Sequence, residues 1–256
     1  MEQTSPENVI HRDAAELAAG YSSSFRYVEI AAILGFFAIS YAMAARILHA
    51  QPETWVLIAA LIFGWVGADF VSGFVHWAAD TWGTPEWPIV GQALIRPFRE
   101  HHVDPKSITR HDFVEVNGAN CLVSIPVLAT GYLIPLGTPL GNFACAGLLS
   151  MILWVFGTNQ FHKWAHTDAG ALPAPVKFAQ SCRLILSETN HEIHHSAPYD
   201  RYYCITTGLL NGFLHGVGFY RGAEWLITKT TGALPREDDI GKQAAEKISP
   251  VLKSRS

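Results

Sequence analysis

Four stretches of this chain are long and apolar enough to cross a lipid bilayer as helices. Since a helix rises about 1.5 Å per residue, roughly 20 apolar residues cross about 30 Å of hydrocarbon. The predicted spans are residues 27–48, 54–77, 121–137 and 140–162. Charged residues make up only 16% of the 256 residues, against about 25% in an average soluble protein. We therefore expect an all-α integral membrane protein with about four transmembrane helices.

One further apolar stretch, residues 202–220, has a different character. It contains four Gly and an internal Asn and His, so its helix propensity is poor. An interfacial or re-entrant helix is a better interpretation than a fifth span. The resulting division is a polar tail at 1–25, a membrane domain at 26–240 and a charged tail at 241–256. The first tail lacks the basic start and apolar run of a signal peptide.

Charge and cysteine usage narrow the function. The formal net charge is -4 and the pI is near 6.3, which disfavours a nucleic-acid binder because such proteins usually carry a basic surface. No two of the four Cys have CxxC spacing, so a thiolate metal site is not expected.

The distribution of Lys and Arg among the loops predicts how the protein is oriented in the membrane. These residues are frequent between residues 78 and 120 and after residue 163, and absent from the turn at 138–140. The excess of Lys and Arg in cytoplasmic loops therefore assigns both segments to the cytoplasmic side, with both termini inside. The membrane would be a bacterial inner membrane or the endoplasmic reticulum, depending on the source.

Nine of the twelve histidines fall on this same side in the four-span arrangement. They are His76, His101, His102, His111, His162, His166, His191, His194 and His195. The pairs 162/166 and 191/195 are four residues apart, so each pair would share one face of a helix. On the second span, Asp69, His76 and Asp80 also share a stripe, which should face a neighbouring helix or a site.

Clustered imidazoles point to a metal centre, because neutral histidine binds first-row metals well. Nine histidines exceed the four ligands of a tetrahedral zinc. Two metals with mostly nitrogen ligands and open positions fit better, and iron has an obvious use there in O₂ activation. Nearby carboxylates such as Asp80 are either ligands or partners that orient a ligand histidine.

Several segments also resemble a known family. They are HWAADTWG (76–83), PIVGQALIRPFREHHVDPKSITRHDFVEVNGANC (88–121), GTNQFHKWAHT (157–167), HEIHHSAPYDRYYCITTGLLN (191–211) and TGALPREDD (231–239). Together they are similar to the plasmanylethanolamine desaturase family, also called the Kua or CarF family, from about residue 55 to 240. The pattern of histidine boxes is also that of membrane fatty-acid desaturases and hydroxylases.

The resemblance implies a di-iron enzyme that acts on ether phospholipids with a 1-O-alkyl chain, mainly the ethanolamine form. Such an enzyme removes hydrogens from C1 and C2 of that chain and leaves a vinyl ether. It consumes O₂ and two electrons, which come from a separate carrier of the cytochrome b5 or ferredoxin type. The family's required residues carry over to the nine histidines and to Asp80, with Asp80 and His111 also given catalytic roles.

One position departs from the family pattern. Family members often have a histidine where this chain has Asn190, so that histidine is either dispensable or a partner of the ligands. The related plant plastid desaturases share the boxes but lack the histidine of the ITRHDF segment. His111 and Asp112 therefore favour the ether-lipid branch.

Arg96 and Arg99 flank the HH pair at 101–102 and are candidates for binding the lipid phosphate, since Arg grips phosphate bidentately. Interface charge that sets topology is the alternative for both. Other functions also stay open at this point: an acyl-lipid desaturase, a hydroxylase, a non-enzymatic metal-dependent membrane signalling protein, or a zinc-dependent membrane hydrolase. A zinc-dependent hydrolase would leave six of the clustered histidines without a role.

Overall fold

The computed structural model describes residues 23–88, 90–196 and 199–236. Over these residues the chain is helical, with ten α-helices and short π and 3₁₀ segments. The helices are α1 Ser23–His49, α2 Thr54–Thr81, α3 Arg96–Val103, α4 Ser107–Arg110, α5 Phe113–Thr130, α6 Pro139–His166, α7 Ala174–Ser181, α8 Glu188–Glu192, α9 Asn211–Gly216 and α10 Phe219–Thr231. The predicted tails lie almost wholly outside the described residues, although 23–25 already belong to α1.

Four helices have the length and apolarity of membrane spans: α1, α2, α6, and α5 with its 3₁₀ extension to Leu133. The predicted four-span architecture is confirmed, but the helices run past the apolar stretches. In particular, α5 begins at Phe113 and not at residue 121. Its polar first turns are stable because the Asp112 carboxylate caps them, accepting from the backbone N–H groups of Val114 and Glu115.

The spans pack in two pairs, α1 against α5 and α2 against α6, and α5 and α6 form the expected hairpin. Small residues allow close approach of α2 and α6: any side chain at Gly64 would collide with Ser150. The apolar core between the spans includes Phe36, Leu128 and Leu149. This packing aligns the ends of α2 and α6 that carry histidines.

Residues 202–220 do not form one interfacial helix. An irregular segment comes first, followed by α9 and the first residues of α10. The segment lies against the middle of α2, where the buried Asp69 carboxylate accepts backbone N–H groups from Thr207, Gly208 and Leu210 at 2.7–2.9 Å. The glycines and polar residues that weakened the helix prediction therefore belong to this irregular segment. It passes through the protein interior, where side-chain oxygens accept hydrogen bonds from its backbone N–H groups.

Candidate metal centre

The first group of potential ligands consists of five histidines drawn from three helices and the turn after α8. They are His101, His162, His166, His191 and His195, and one ligand atom of each lies within 4.8 Å of all the others. His101 comes from α3, His162 and His166 come from the last turns of α6, and His191 comes from α8. Three of the five are buried and His166 and His195 are partly exposed.

Four of these imidazoles form a closed ring through their Nε2 atoms. His162 lies 2.9 Å from His101 and 2.7 Å from His191, while His195 lies 2.8 Å from His101 and 3.0 Å from His191. A square with such edges places its corners about 2.0 Å from its centre, which is the length of a metal–imidazole bond. One imidazole nitrogen carries at most one proton, so a metal explains all four short contacts better than hydrogen bonding.

The second group combines three histidines with Asp80. The Oδ2 atom of Asp80 lies 3.2 Å from Nε2 of His76, 3.3 Å from that of His102 and 3.5 Å from that of His194. Oδ2 of Asp80 and Nε2 of His76 are nevertheless buried without a hydrogen-bond partner. Two buried polar atoms that face each other without bonding require another partner, and a cation between them would satisfy both.

Backbone carbonyls orient two rings of this second group. His76 places Nδ1 3.0 Å from the carbonyl oxygen of Tyr203, and His194 places Nδ1 2.9 Å from that of Arg201. An Nδ1–H that donates to a carbonyl leaves Nε2 deprotonated, as a metal ligand requires. The irregular segment held by Asp69, together with Arg201 directly before it, therefore supplies the carbonyls that set the tautomers.

The two groups are interleaved along the chain. His101 belongs to the first group and His102 to the second, while His194 belongs to the second and His195 to the first. Burial lowers the pKa of His101, His191 and His195 below the ordinary histidine range, and neighbouring imidazoles lower it further. These rings are consequently neutral at physiological pH, which is the metal-binding form.

The three remaining predicted site residues lie elsewhere. His111 lies outside both groups, with Nε2 3.5 Å from Glu100 and Nδ1 3.6 Å from Glu115. Arg96 is buried and donates to Glu100 at 3.0 Å. Arg99 donates to the carbonyl oxygen of Gly83 at 3.0 Å. The structure thus brings together eight of the nine histidines and Asp80 in the two groups. His111 and Arg96 instead lie beside the Glu100 carboxylate.

Sequence reasoning missed Arg236. Its guanidinium donates to the carbonyl oxygens of Ala79, Asp80 and Gly83, and its N–H donates to that of Thr81. These carbonyls end α2, where a cation also interacts favourably with the helix dipole. Arg236 therefore fixes the helix end that presents Asp80, and the only sequence signal was its place in the TGALPREDD segment.

Asn190, the departure from the family pattern, has a structural place beside the first group. Its Oδ1 accepts from Asn211 at 2.8 Å, and its Nδ2 donates to the carbonyl oxygen of Gly208 at 3.4 Å. It therefore joins α8, which carries His191, to the irregular segment.

The fold and the site together define a class: a multi-pass membrane protein with two adjacent His-rich groups able to hold metals at one end of its spans. Residues 65–238 match the lipid desaturase domain family. The chain belongs to this family, and it is therefore an oxidoreductase of the desaturase type.

Curated relatives agree with this assignment. The chain is 52% identical to plasmanylethanolamine desaturase of Myxococcus xanthus over 94% of this chain and 86% of that protein. It is 47% identical to plasmanylethanolamine desaturase 1 of Mus musculus over 90% and 87% of the two chains. The chloroplastic fatty acid desaturase 4 of Arabidopsis thaliana is 33% identical over 68% of this chain and 52% of that protein. No solved structure matches this chain.

Proposed function

We propose that this protein is a di-iron desaturase that converts the 1-O-alkyl chain of plasmanylethanolamine into the vinyl ether of a plasmalogen. The observation that carries the proposal is the pair of ligand groups at the ends of α2 and α6, in a chain about half identical to two plasmanylethanolamine desaturases. The reaction consumes one O₂, two electrons and two protons, converts CH₂–CH₂ into CH=CH and releases two waters.

The residues fit two metal ions of this kind. His101, His162, His166, His191 and His195 would hold one ion, and His76, Asp80, His102 and His194 would hold the other. Five imidazoles exceed the coordination number of structural zinc, and a nitrogen-rich set with one carboxylate suits iron. Bound there, two iron ions would supply the O₂ chemistry that removes hydrogen atoms from an alkyl chain, for which no side chain is a strong enough base.

The chain's own contribution is to hold the ligands and to exclude water. The carbonyls of Tyr203 and Arg201 fix the His76 and His194 rings, and Phe98 packs against the His76 ring at 4.7 Å between centroids. His76 and His194 are fully buried, so bulk water is excluded from this part of the site. His111 and Arg96 both lie beside Glu100, the residue that precedes His101 in α3. The predicted role of His111 as a ligand stays a prediction.

Orientation and electron supply belong to the same proposal. The Lys and Arg distribution supports a cytoplasmic position for the ligand groups. A soluble or membrane-anchored carrier such as cytochrome b5 or a ferredoxin would then deliver electrons from that side. The carbon to be oxidised lies just below the phospholipid headgroup, so a centre at the ends of the spans matches its depth.

The test is expression in cells that contain alkyl-ether phospholipids but lack plasmalogens. Acid releases an aldehyde from a vinyl ether, and we expect this aldehyde from cells with the wild-type protein but not with His194→Ala. His215→Ala, at an exposed histidine of α9, is the matched control and should retain activity. Iron-loaded wild-type protein that yields no aldehyde with a competent donor would refute the proposal. A newly unsaturated acyl chain would then identify acyl desaturation, and a hydroxylated chain would identify hydroxylation.

A further inference from the structure

A polar cavity of about 350 Å³ opens beside the first ligand group. It lies between α4, the end of α6 and the residues that follow α6. Its lining includes His166, which is a partly exposed member of the five-histidine group. Lys106, Lys163 and Asp168 also line it. The cavity therefore joins solvent-accessible charges to a potential metal ligand.

The charges of this cavity match a zwitterionic headgroup. Lys163 donates from Nζ to the carbonyl oxygen of His111 at 2.6 Å, which holds its ammonium group in place with two further N–H groups available. Lys106 pairs with Asp168 at 2.7 Å, and both side chains are well exposed. Such an exposed pair contributes little stability. An incoming phosphate could therefore replace Asp168 beside Lys106, and an incoming ammonium could replace Lys106 beside Asp168, at small cost in free energy.

The distance is also suitable. In a 1-O-alkyl phospholipid, six bonds separate C1 of the alkyl chain from phosphorus, a reach of roughly 7 Å at ordinary bond lengths. Lys163 precedes His166 by three residues on α6, an axial offset of about 4.5 Å. A phosphate at Lys163 therefore leaves C1 within reach of the ligand groups.

Other cations near the ligand groups are engaged with protein acceptors. Arg96 is buried against Glu100, Arg99 donates to Gly83, and Arg236 donates to the carbonyls that end α2. Lys106 and Lys163 also have protein acceptors, but both line the open cavity together with His166.

We propose that this cavity binds the substrate's phosphoethanolamine headgroup, with Lys106 and Lys163 on the phosphate and Asp168 on the ammonium. The proposal rests on the proposed function. It assigns headgroup recognition to the lysines, in place of the role that the sequence suggested for Arg96 and Arg99. It also makes Asp168 the residue that distinguishes ethanolamine, which can donate N–H bonds, from a fully methylated amine, which cannot.

The experiment measures vinyl-ether formation in proteoliposomes, with saturating electron donor and varied surface concentration of 1-O-alkyl phosphatidylethanolamine. Lys106→Ala combined with Lys163→Met should raise the apparent KM about tenfold and leave kcat within about twofold. Asp168→Asn should reduce the preference for ethanolamine over choline lipid about fivefold or more. Lys177→Ala, at an exposed lysine of α7, is the matched control and should change neither.

Two outcomes would overturn this proposal: an unchanged KM for the ether phospholipid in the double lysine variant, or an unchanged headgroup preference in Asp168→Asn. The single variant Lys106→Ala guards against misfolding, since its side chain is exposed, and it should raise KM in the same direction. Inhibition of wild type by inorganic phosphate as strong as by diacyl phosphatidylethanolamine would indicate a general anion site and also overturn it.

Failure of the proposed function would look different. Wild-type protein would then form no vinyl ether, and binding of the ether phospholipid, followed by native mass spectrometry, would decide the cavity's role. Tight binding to wild type that is lost in the double lysine variant supports the headgroup site; equal binding to both refutes it.

Discussion

Asp69 lies in the middle of a membrane span, is fully buried and touches neither ligand group directly. Its two oxygens accept three backbone N–H groups, from Thr207, Gly208 and Leu210. We predict that Asp69→Ala is one of the most destabilising single substitutions outside the metal centre. The reason is that it leaves three buried donors without acceptors where no lipid or apolar side chain can replace them.

The magnitude follows from those three contacts. Each buried donor left unsatisfied costs about 1–3 kcal/mol, and removal of the carboxylate recovers part of its own desolvation cost, so the net loss should be about 3–5 kcal/mol. For a chain of this length 1 kcal/mol shifts the midpoint by about 2–4 °C. The apparent melting temperature should therefore fall by roughly 6–20 °C.

The assay is thermal unfolding in detergent at a fixed heating rate, followed by far-UV circular dichroism. Asp69→Asn keeps one acceptor oxygen and should fall between wild type and Asp69→Ala. Glu53→Ala, at an exposed acidic residue just before α2, is the control and should change the midpoint by less than about 2 °C. An Asp69→Ala midpoint equal to that of the control would refute the reasoning that this carboxylate holds the loop in place.

Three further predictions concern residues around the centre. Arg236→Ala should lower the amount of bound metal per chain below that of wild type, because the end of α2 that carries Asp80 loses its cap. Arg236→Lys should recover part of the bound metal; elemental analysis measures this, and an unchanged ratio of metal to protein would contradict it. Gly208→Ala should cost at least about 1–2 kcal/mol, because φ is +73° there and a Cβ would also collide with the Asn190 side chain; a melting temperature equal to that of wild type would contradict this. Asp112→Ala should cost about 1 kcal/mol through loss of the α5 cap. In wild type, the hydrogen bond from Arg26 holds the pKa of Asp112 below its usual range. The cap's contribution is therefore full above the ordinary aspartate pKa and disappears as pH falls through the lowered value, which a pH series of melting curves on wild type and Asp112→Ala would check.

The membrane spans and most ligands could be predicted from local sequence. Long apolar runs identify the spans, and four-residue spacing correctly placed His162 and His166 on one helix face. His191 and His195 also come together, but His195 lies in the turn after α8 and not on the helix. The prediction that nine histidines lie at one membrane end came from the four-span arrangement, and eight of them do converge. These features depend on short-range periodicity, which a single sequence reveals.

What escaped prediction depends on contacts far apart in the chain. Arg236 reaches backbone carbonyls near Asp80, 156 residues away, and a backbone acceptor leaves no mark on the sequence. The division of His101 and His102 between two groups follows from how α3 docks, not from its own pattern. The ion pair of Arg96 with Glu100 could have been predicted, since their four-residue spacing is typical of helical ion pairs. The prediction of phosphate binding rested instead on the position of Arg96 beside the HH pair.

The interleaving of the histidines has a consequence for how the centre fills. Two dipeptides, His101-His102 and His194-His195, each give one ring to each ligand group, so two peptide units each join the two coordination spheres. An ion that orders either sphere also fixes the backbone of the other, and the second ion then meets ligands whose conformational entropy has already been lost. Loading should therefore be cooperative, with a binding curve steeper than that of two independent sites and few molecules holding a single ion.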